Sequence, residues 1–290
     1  MNDASRQQLL ETRFTRPHAI AAAAKNRLGH EPTSDEGRIL IIAADHTARG
    51  MLDVGSNPSA MSNRYDLLDR LVTALAIPGV SGVLGTPDIV EDLFLLGALE
   101  RKYVFGSMNR GGLPGAVFEM DDRFTSYTTE SIVEHRLDGG KMLLRINLDD
   151  PGTANVLESS AKAVSQLASN DKIAMIEPFM SSRVDGRIQH DLSTNGVMQS
   201  MAIASALGAT SSHTWLKVPV VDDMERVAEA TTMPVVLLGG PRNDRPDEMF
   251  ERWEKTLRLP GVRGLVVGRN LLYPSDDDVT SAVKTAVSLL

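Results

Sequence analysis

Cysteine is absent from this 290-residue chain. Disulfides, thiolate nucleophiles and cysteine metal sites are therefore excluded. No run approaches the ~18 continuous apolar residues that a membrane-spanning helix needs. The N-terminus carries Asp3 and Glu11 and has no apolar signal core, so a cytoplasmic protein without membrane partners is expected. There is no excess of positive charge. The net charge of −8 argues against nonspecific binding to nucleic acid or anionic membranes, although a local site can still be basic. Repeats of 20–50 residues, low-complexity linkers and a Gly-x-Gly-x-x-Gly turn are missing. Solenoids and the usual dinucleotide fingerprint are thereby disfavoured.

What is present is a 42% hydrophobic chain able to bury a large core. Residues 1–37 read as a helical extension, with an alanine-rich helix over 17–28 and a polar loop over 31–37. The apolar run 38–45 is too short for a typical helix and is bounded by Gly37, which predicts a buried strand. Similar runs occupy 82–85, 103–106, 141–147, 173–179, 214–218, 234–238 and 262–267. Helical stretches are predicted at 88–101, 129–137, 154–168, 194–207, 222–230, 247–257 and 277–290. Strands alternating with helices in this way predict one (β/α)8 TIM barrel over 38–290. An open doubly wound sheet is the competitor; the strand count and the missing dinucleotide turn favour the barrel. The Gly-rich polar stretch 109–126 follows the third strand, where a long loop would lie at the barrel mouth and cover the site.

Barrel chemistry sits at the carboxyl ends of strands. Lys217, in Thr214-Trp215-Leu216-Lys217-Val218-Pro219, is a lone cation near the end of an apolar run. A buried lysine is costly unless it is paired or neutral, and a neutral lysine can condense with a ketone or aldehyde. An ordinary lysine, with pKa ~10.4, is neutral about once in 2,500 molecules at pH 7. Burial and a second cation, Lys141 or Arg145, would raise that fraction. Alternation puts Lys217 and Trp215 on one face and Leu216 and Val218 on the other, and likewise separates Glu177 and Met175 from Ile176. Other strand ends supply Asp45 and His46, then Lys141, Arg145 and Asn147. Glu177 and Asp45 could move protons during carbinolamine formation and dehydration. Each of these residues also has a plain reading: a salt-bridged rim lysine, a turn-capping Asp45, and Glu177-Pro178 as a strand end. The turns Leu238-Gly239-Gly240-Pro241 and Val267-Gly268-Arg269-Asn270 follow the last two strands. Barrels often bind phosphate there, through glycine N–H groups and a cation such as Arg269.

Six segments, in order, carry a resemblance: Ala43-Ala44-Asp45-His46, Lys141-Met142-Leu143-Leu144, Ile176-Glu177-Pro178, Leu216-Lys217-Val218-Pro219 and the two glycine turns. The chain resembles the class I aldolases of the (β/α)8 type, in particular the archaeal-type fructose-bisphosphate and the tagatose-bisphosphate aldolase groups. The resemblance implies Lys217 as the Schiff-base lysine, Glu177 and Lys141 as its proton-handling and electrostatic partners, and Asp45 as a hydroxyl contact or acid/base group. It implies that Gly239, Gly240, Gly268 and Arg269 hold a substrate phosphate. His46, Arg49 and Arg145 are further candidate substrate contacts. The segment from His46 to Gly50 departs from both groups, and Arg145 and Asn147 stand where the tagatose-type enzymes tend to carry tyrosines; these departures bear on the substrate. The implied activity is cleavage or formation of a C–C bond in a phosphorylated sugar or sugar acid by a homo-oligomer without cofactor. Relatives among inositol-catabolism enzymes suggest a deoxy-keto-gluconate phosphate. A deoxyribose-phosphate-type aldolase is an alternative, but its second lysine is missing from 235–238. A metal-dependent class II aldolase needs clustered histidines, whereas the six here are scattered and only His46 ends a strand. A non-catalytic sugar-phosphate-binding barrel is the third alternative.

Overall fold

The computed structural model describes residues 1–30, 37–240 and 245–290. Most of the expected polar loop, 31–36, and Pro241 of the first glycine turn lie outside the described residues. The barrel strands are β1 (Ile39–Ala43), β2 (Gly82–Gly85), β3 (Tyr103–Ser107), β4 (Gly139–Ile146) and β5 (Ile173–Val184), then β7 (Thr214–Val218), β8 (Val235–Leu238) and β9 (Val262–Val267). Each pairs in parallel with its neighbours, and the β1–β9 and β4–β5 pairings close the ring. The fold is a (β/α)8 barrel. The ninth strand, β6 (Arg187–His190), lies outside the ring and pairs antiparallel with the end of β5.

Alternation along the strands separates two apolar clusters. Ile39, Ile41, Leu84, Phe105, Met175, Val236 and Val266 fill the barrel axis, with Trp215 against them. Leu40, Ile42, Ile176, Leu216 and Val218 face outward into the layer beneath the helices. The inward set occupies the lower barrel, and the polar side chains stand above it, toward the carboxyl ends. Two glycines are required by the close strand spacing. A Cβ on Gly268 would strike the Ala43 carbonyl oxygen of β1, and one on Gly264, whose φ is +145°, would strike that of Ile39.

The surrounding helices are α3 (Arg64–Leu75), α4 (Pro87–Leu95), α5 (Thr129–Glu134), α6 (Gly152–Ala168), α7 (Thr194–Ser205), α8 (Met224–Glu229), α9 (Pro246–Leu257), the short α10 (Arg269–Leu272) and α11 (Val279–Ser288). No helix was expected at α3. It is built by an Asn63 cap on the Tyr65 and Asp66 N–H groups and by buried Leu67, Leu68, Leu71 and Leu75 at helical spacing. The predicted 88–101 helix stops early, at Leu95, ahead of Gly97 with φ +66°. Two N-terminal helices, α1 (Asp3–Thr15) and α2 (His18–Asn26), pack outside the ring. Arg13 reaches Glu91 and Asp92 of α4, and Arg27 donates to the carbonyls of Lys102 and Arg136 at the amino ends of β3 and β4. The end of the extension thus reaches the face opposite the strand carboxyl ends, while α1 packs along the flank at α4. Among the described residues, no helix is long and apolar enough to cross a membrane.

Candidate active site

A cavity of ≈ 440 Å³ opens at the carboxyl ends of the strands, and Lys217, Glu177, Arg110, His46, Arg49, Gly239, Gly240, Gly268 and Arg269 are among its lining residues. Lys217 comes from β7 and is only 3% exposed. Its Nζ lies 2.9 Å from Glu177 Oε1. The other Glu177 oxygen, Oε2, contacts Lys141 Nζ from β4. Lys141 is fully buried, and its Nζ is 3.2 Å from Asp45 Oδ2 at the end of β1. Two carboxylates thus alternate with two ammonium groups across four strands. Asp45 and Lys141 do not line the cavity; they form a layer behind Glu177 and Lys217.

The charges fix the protonation states. Burial alone would raise the Glu177 carboxyl, but Lys141, Lys217 and Arg110 outweigh it and hold Glu177 far below the ordinary carboxylate range. The same contest, decided by Arg110, Lys141 and Lys217, keeps Asp45 well below its usual value. Both are ionised at neutral pH. Burial, reinforced by Arg110, brings the Lys141 ammonium down to about 8 against the pull of Asp45 and Glu177. Burial lowers the His46 imidazole to about 3, with Arg269, Arg110 and Lys217 overcoming Asp45. His46 is therefore neutral, and its Nδ1 has no hydrogen-bond partner among the described residues.

Arg110 was not anticipated. It lies at the start of the loop after β3, where no periodicity marks it, and its guanidinium contacts Asp45 Oδ2. Its Nε donates to Ser107 Oγ at 3.3 Å, and that hydroxyl donates to Asp45 Oδ2 at 3.3 Å. The 109–126 loop is tied into the barrel from below. The Asn109 side chain accepts from Leu143 N–H at 2.7 Å and donates to Leu143 O at 2.6 Å, extending the β3–β4 pairing through a side chain.

Arg145 departs from its expected place. It shares the inward face of β4, as alternation requires, but does not line the cavity. Its Nε and Nη2 make a forked pair with Asp122 at 2.7 and 2.6 Å, and Nη2 also donates to Glu119 O. Both partners of the fork are buried. Arg145 is a strut that fixes the loop, so Arg145→Met should leave Asp122 as an unpaired buried charge and destabilise the fold by about 3–5 kcal/mol, read as a lower denaturant midpoint at unchanged slope. Asn147 likewise leaves the site; its side chain accepts from Asp149 N–H in the turn before α6. Arg49 does line the cavity, held by its Nε donating to Gly112 O at 2.8 Å. Burial and the neighbouring Arg145 lower it to about 10.

The two glycine turns meet across the cavity. Asn270 Nδ2 donates to Gly239 O at 2.8 Å, joining the turn after β8 to the start of α10. Gly240 has φ +67°, and no described residue lies within 4 Å of its Cβ position. Arg269 lines the cavity beside them, with Asp53 3.9 Å from its Nη1. The opposite wall is the β5–β6 hairpin, whose Asp185-Gly186 turn has φ of 48° and 76°. The hairpin places His190 in a stack on Phe179, with 4.4 Å between ring centroids, and both rings line the cavity. Burial, with Arg145 and Arg49 nearby, lowers His190 to about 4.

The sequence model of the Cgl0159-like family matches residues 37–287. The chain belongs to the Cgl0159-like family. A crystal structure of Cgl0159 from Corynebacterium glutamicum is 54% identical, with a TM-score of 0.97 over 100% of this chain and 97% of that one. More distant structures share the fold of this Cgl0159-like protein. One is an archaeal fructose-1,6-bisphosphate aldolase with its catalytic lysine covalently bound to the carbinolamine intermediate (17% identity, TM-score 0.64, covering 93% of this chain and 98% of that chain). Another is the fructose-bisphosphate aldolase of Slackia heliotrinireducens (15% identity, TM-score 0.66, 95% and 87%). No curated protein matches the chain.

Proposed function

We propose that this Cgl0159-like protein is a class I aldolase acting on a phosphorylated sugar or sugar acid. The observation that carries the reading is Lys217 Nζ, buried at the cavity floor 2.9 Å from an ionised Glu177. The distant structural neighbours named as aldolases add a fold in which lysine Schiff-base chemistry is performed.

Glu177 relays a proton from the Lys217 ammonium toward Lys141, the amine lowered to about 8, freeing the Lys217 lone pair. The amine attacks the substrate carbonyl carbon, and a proton shift from nitrogen to oxygen gives the neutral carbinolamine. The proton then comes back from Lys141 through Glu177 to the carbinolamine hydroxyl, water leaves, and the iminium forms beside the Glu177 carboxylate. Ionised Glu177 next accepts the proton of the substrate hydroxyl on the carbon being cleaved. The C–C electrons flow into the iminium, giving an enamine and a free aldehyde. Lys141 holds Glu177 as an anion between these steps, and Asp45 holds Lys141. The substrate phosphate sits at Gly239, Gly240, Gly268 and Arg269, while neutral His46 can hydrogen-bond a substrate oxygen without adding charge.

A panel of phosphorylated ketoses and keto acids, incubated with enzyme and assayed for aldehyde or ketone release, tests the reading. Turnover that survives chelator supports it. Turnover abolished by chelator means a metal aldolase, and tight binding without turnover means a sensor. The phosphate end has its own test. Gly240→Glu should lower kcat/KM for phosphorylated substrates at least ~10-fold more than for their dephosphorylated analogues, because it adds a carboxylate at an anion site. Backbone strain at φ +67° affects both substrates alike, so equal losses would count against the site.

A further inference from the structure

We propose that Arg110 is a positioning residue: from the loop after β3 it supplies the permanent cation that holds Asp45 in place and weakens the hold of the cluster on the Lys141 proton. The kinetic part of this inference rests on the aldolase reading; the titration part does not.

One buried cluster holds an odd number of charges. The groups facing Lys141 are Asp45 from the end of β1, Ser107 from β3, Arg110 from the loop, Glu177 from β5 and Lys217 from β7. Asp45 and Glu177 carry two negative charges; Arg110, Lys141 and Lys217 carry three positive ones. A guanidinium does not lose its proton in a protein. Within these five groups the proton that the surplus makes easiest to lose is therefore an amine's, and Lys141 is the fully buried one. Geometry makes the competition direct. Arg110 Nη2 and Lys141 Nζ converge on the same oxygen, Asp45 Oδ2, while Oδ1 has no partner among the described residues. Arg110 thus takes up part of the anion that would otherwise stabilise the Lys141 ammonium. The lowering of Lys141 to about 8, with Arg110 its foremost charged cause after burial, agrees with this arrangement. Proton traffic through Glu177 then has a partner in Lys141 that can both give and accept near neutral pH. The 109–126 loop, held down by Asn109 and Arg145, keeps that cation in register.

The test titrates Lys141 in unliganded protein labelled with ¹³Cε-lysine, the resonance assigned through Lys141→Met. Wild type should titrate near 8. In Arg110→Gln, which can still hydrogen-bond Asp45 but carries no charge, the midpoint should rise by about 1 unit or more. In Arg110→Lys it should stay near the wild-type value. In turnover, Arg110→Gln should move the basic limb of kcat/KM upward by a similar amount with KM nearly unchanged. A Lys141 midpoint that does not move in Arg110→Gln, or moves equally in Arg110→Lys, would overturn the proposal. A rise in KM alone would make Arg110 a substrate contact instead. If no variant or wild type shows turnover, the aldolase reading fails while the titration still decides the role of Arg110.

Discussion

Lys217→Ala should abolish turnover, by at least ~10⁴-fold in kcat, because no other lysine lines the cavity among the described residues. Lys141 cannot replace it: that amine is fully buried behind Glu177 and does not line the cavity. Lys217→Arg should be equally inactive, since a guanidinium keeps the charge but is no nucleophile at neutral pH. The fold should survive both changes. Glu177 retains Lys141 as a counter-ion when Lys217 is removed, and Trp215, Leu216 and Val218 still pack β7 on both faces. Unchanged circular dichroism with a thermal midpoint close to wild type would show that the loss is chemical. Substantial turnover in Lys217→Ala would end the Schiff-base account.

Glu177→Gln should reduce kcat by about 10²–10⁴-fold, the range for a lost general acid/base. The amide keeps the size of the side chain but can neither accept the Lys217 proton nor return it to the carbinolamine oxygen. It also leaves Asp45 as the sole carboxylate among Arg110, Lys141 and Lys217. The two variants should differ in one respect. Lys217→Ala cannot form an adduct at all, whereas Glu177→Gln should still form one slowly. Single-turnover trapping separates them: a slow adduct in Glu177→Gln agrees with proton transfer by that residue, and wild-type trapping rates would remove it from the mechanism.

The barrel was legible because burial on both faces of parallel strands leaves short continuous apolar runs, and each of the eight predicted runs is a barrel strand. Its closure was not encoded in any one segment; it appears only in the β1–β9 and β4–β5 pairings. Helix α3 was missed although Asn63 and the Leu67, Leu71, Leu75 spacing were there to be read. The β5–β6 hairpin was missed although Val184-Asp185-Gly186-Arg187 holds a hairpin turn signal. For strand-end residues, alternation fixes the direction of the side chain. Lys217, Glu177, Lys141 and Asp45 form one contiguous network. Loop residues have no such rule. Arg110 carries no pattern, and Arg145 was placed at the substrate because nothing in the strand announces that Asp122, 23 positions earlier, folds back to take its charge. His190 and Asn270 act through contacts that only the folded chain creates.

Schiff-base chemistry requires that the Lys217 amine become covalently bonded to a substrate carbonyl carbon. The most direct measurement is borohydride reduction in the presence of a phosphorylated ketose that the enzyme turns over, followed by peptide mass mapping. Irreversible inactivation is expected, with a single reduced adduct on the peptide containing Trp215, Leu216 and Lys217 that is absent without ketose. Full activity after reduction, or an adduct on Lys141 or a surface lysine in place of Lys217, would contradict that chemistry.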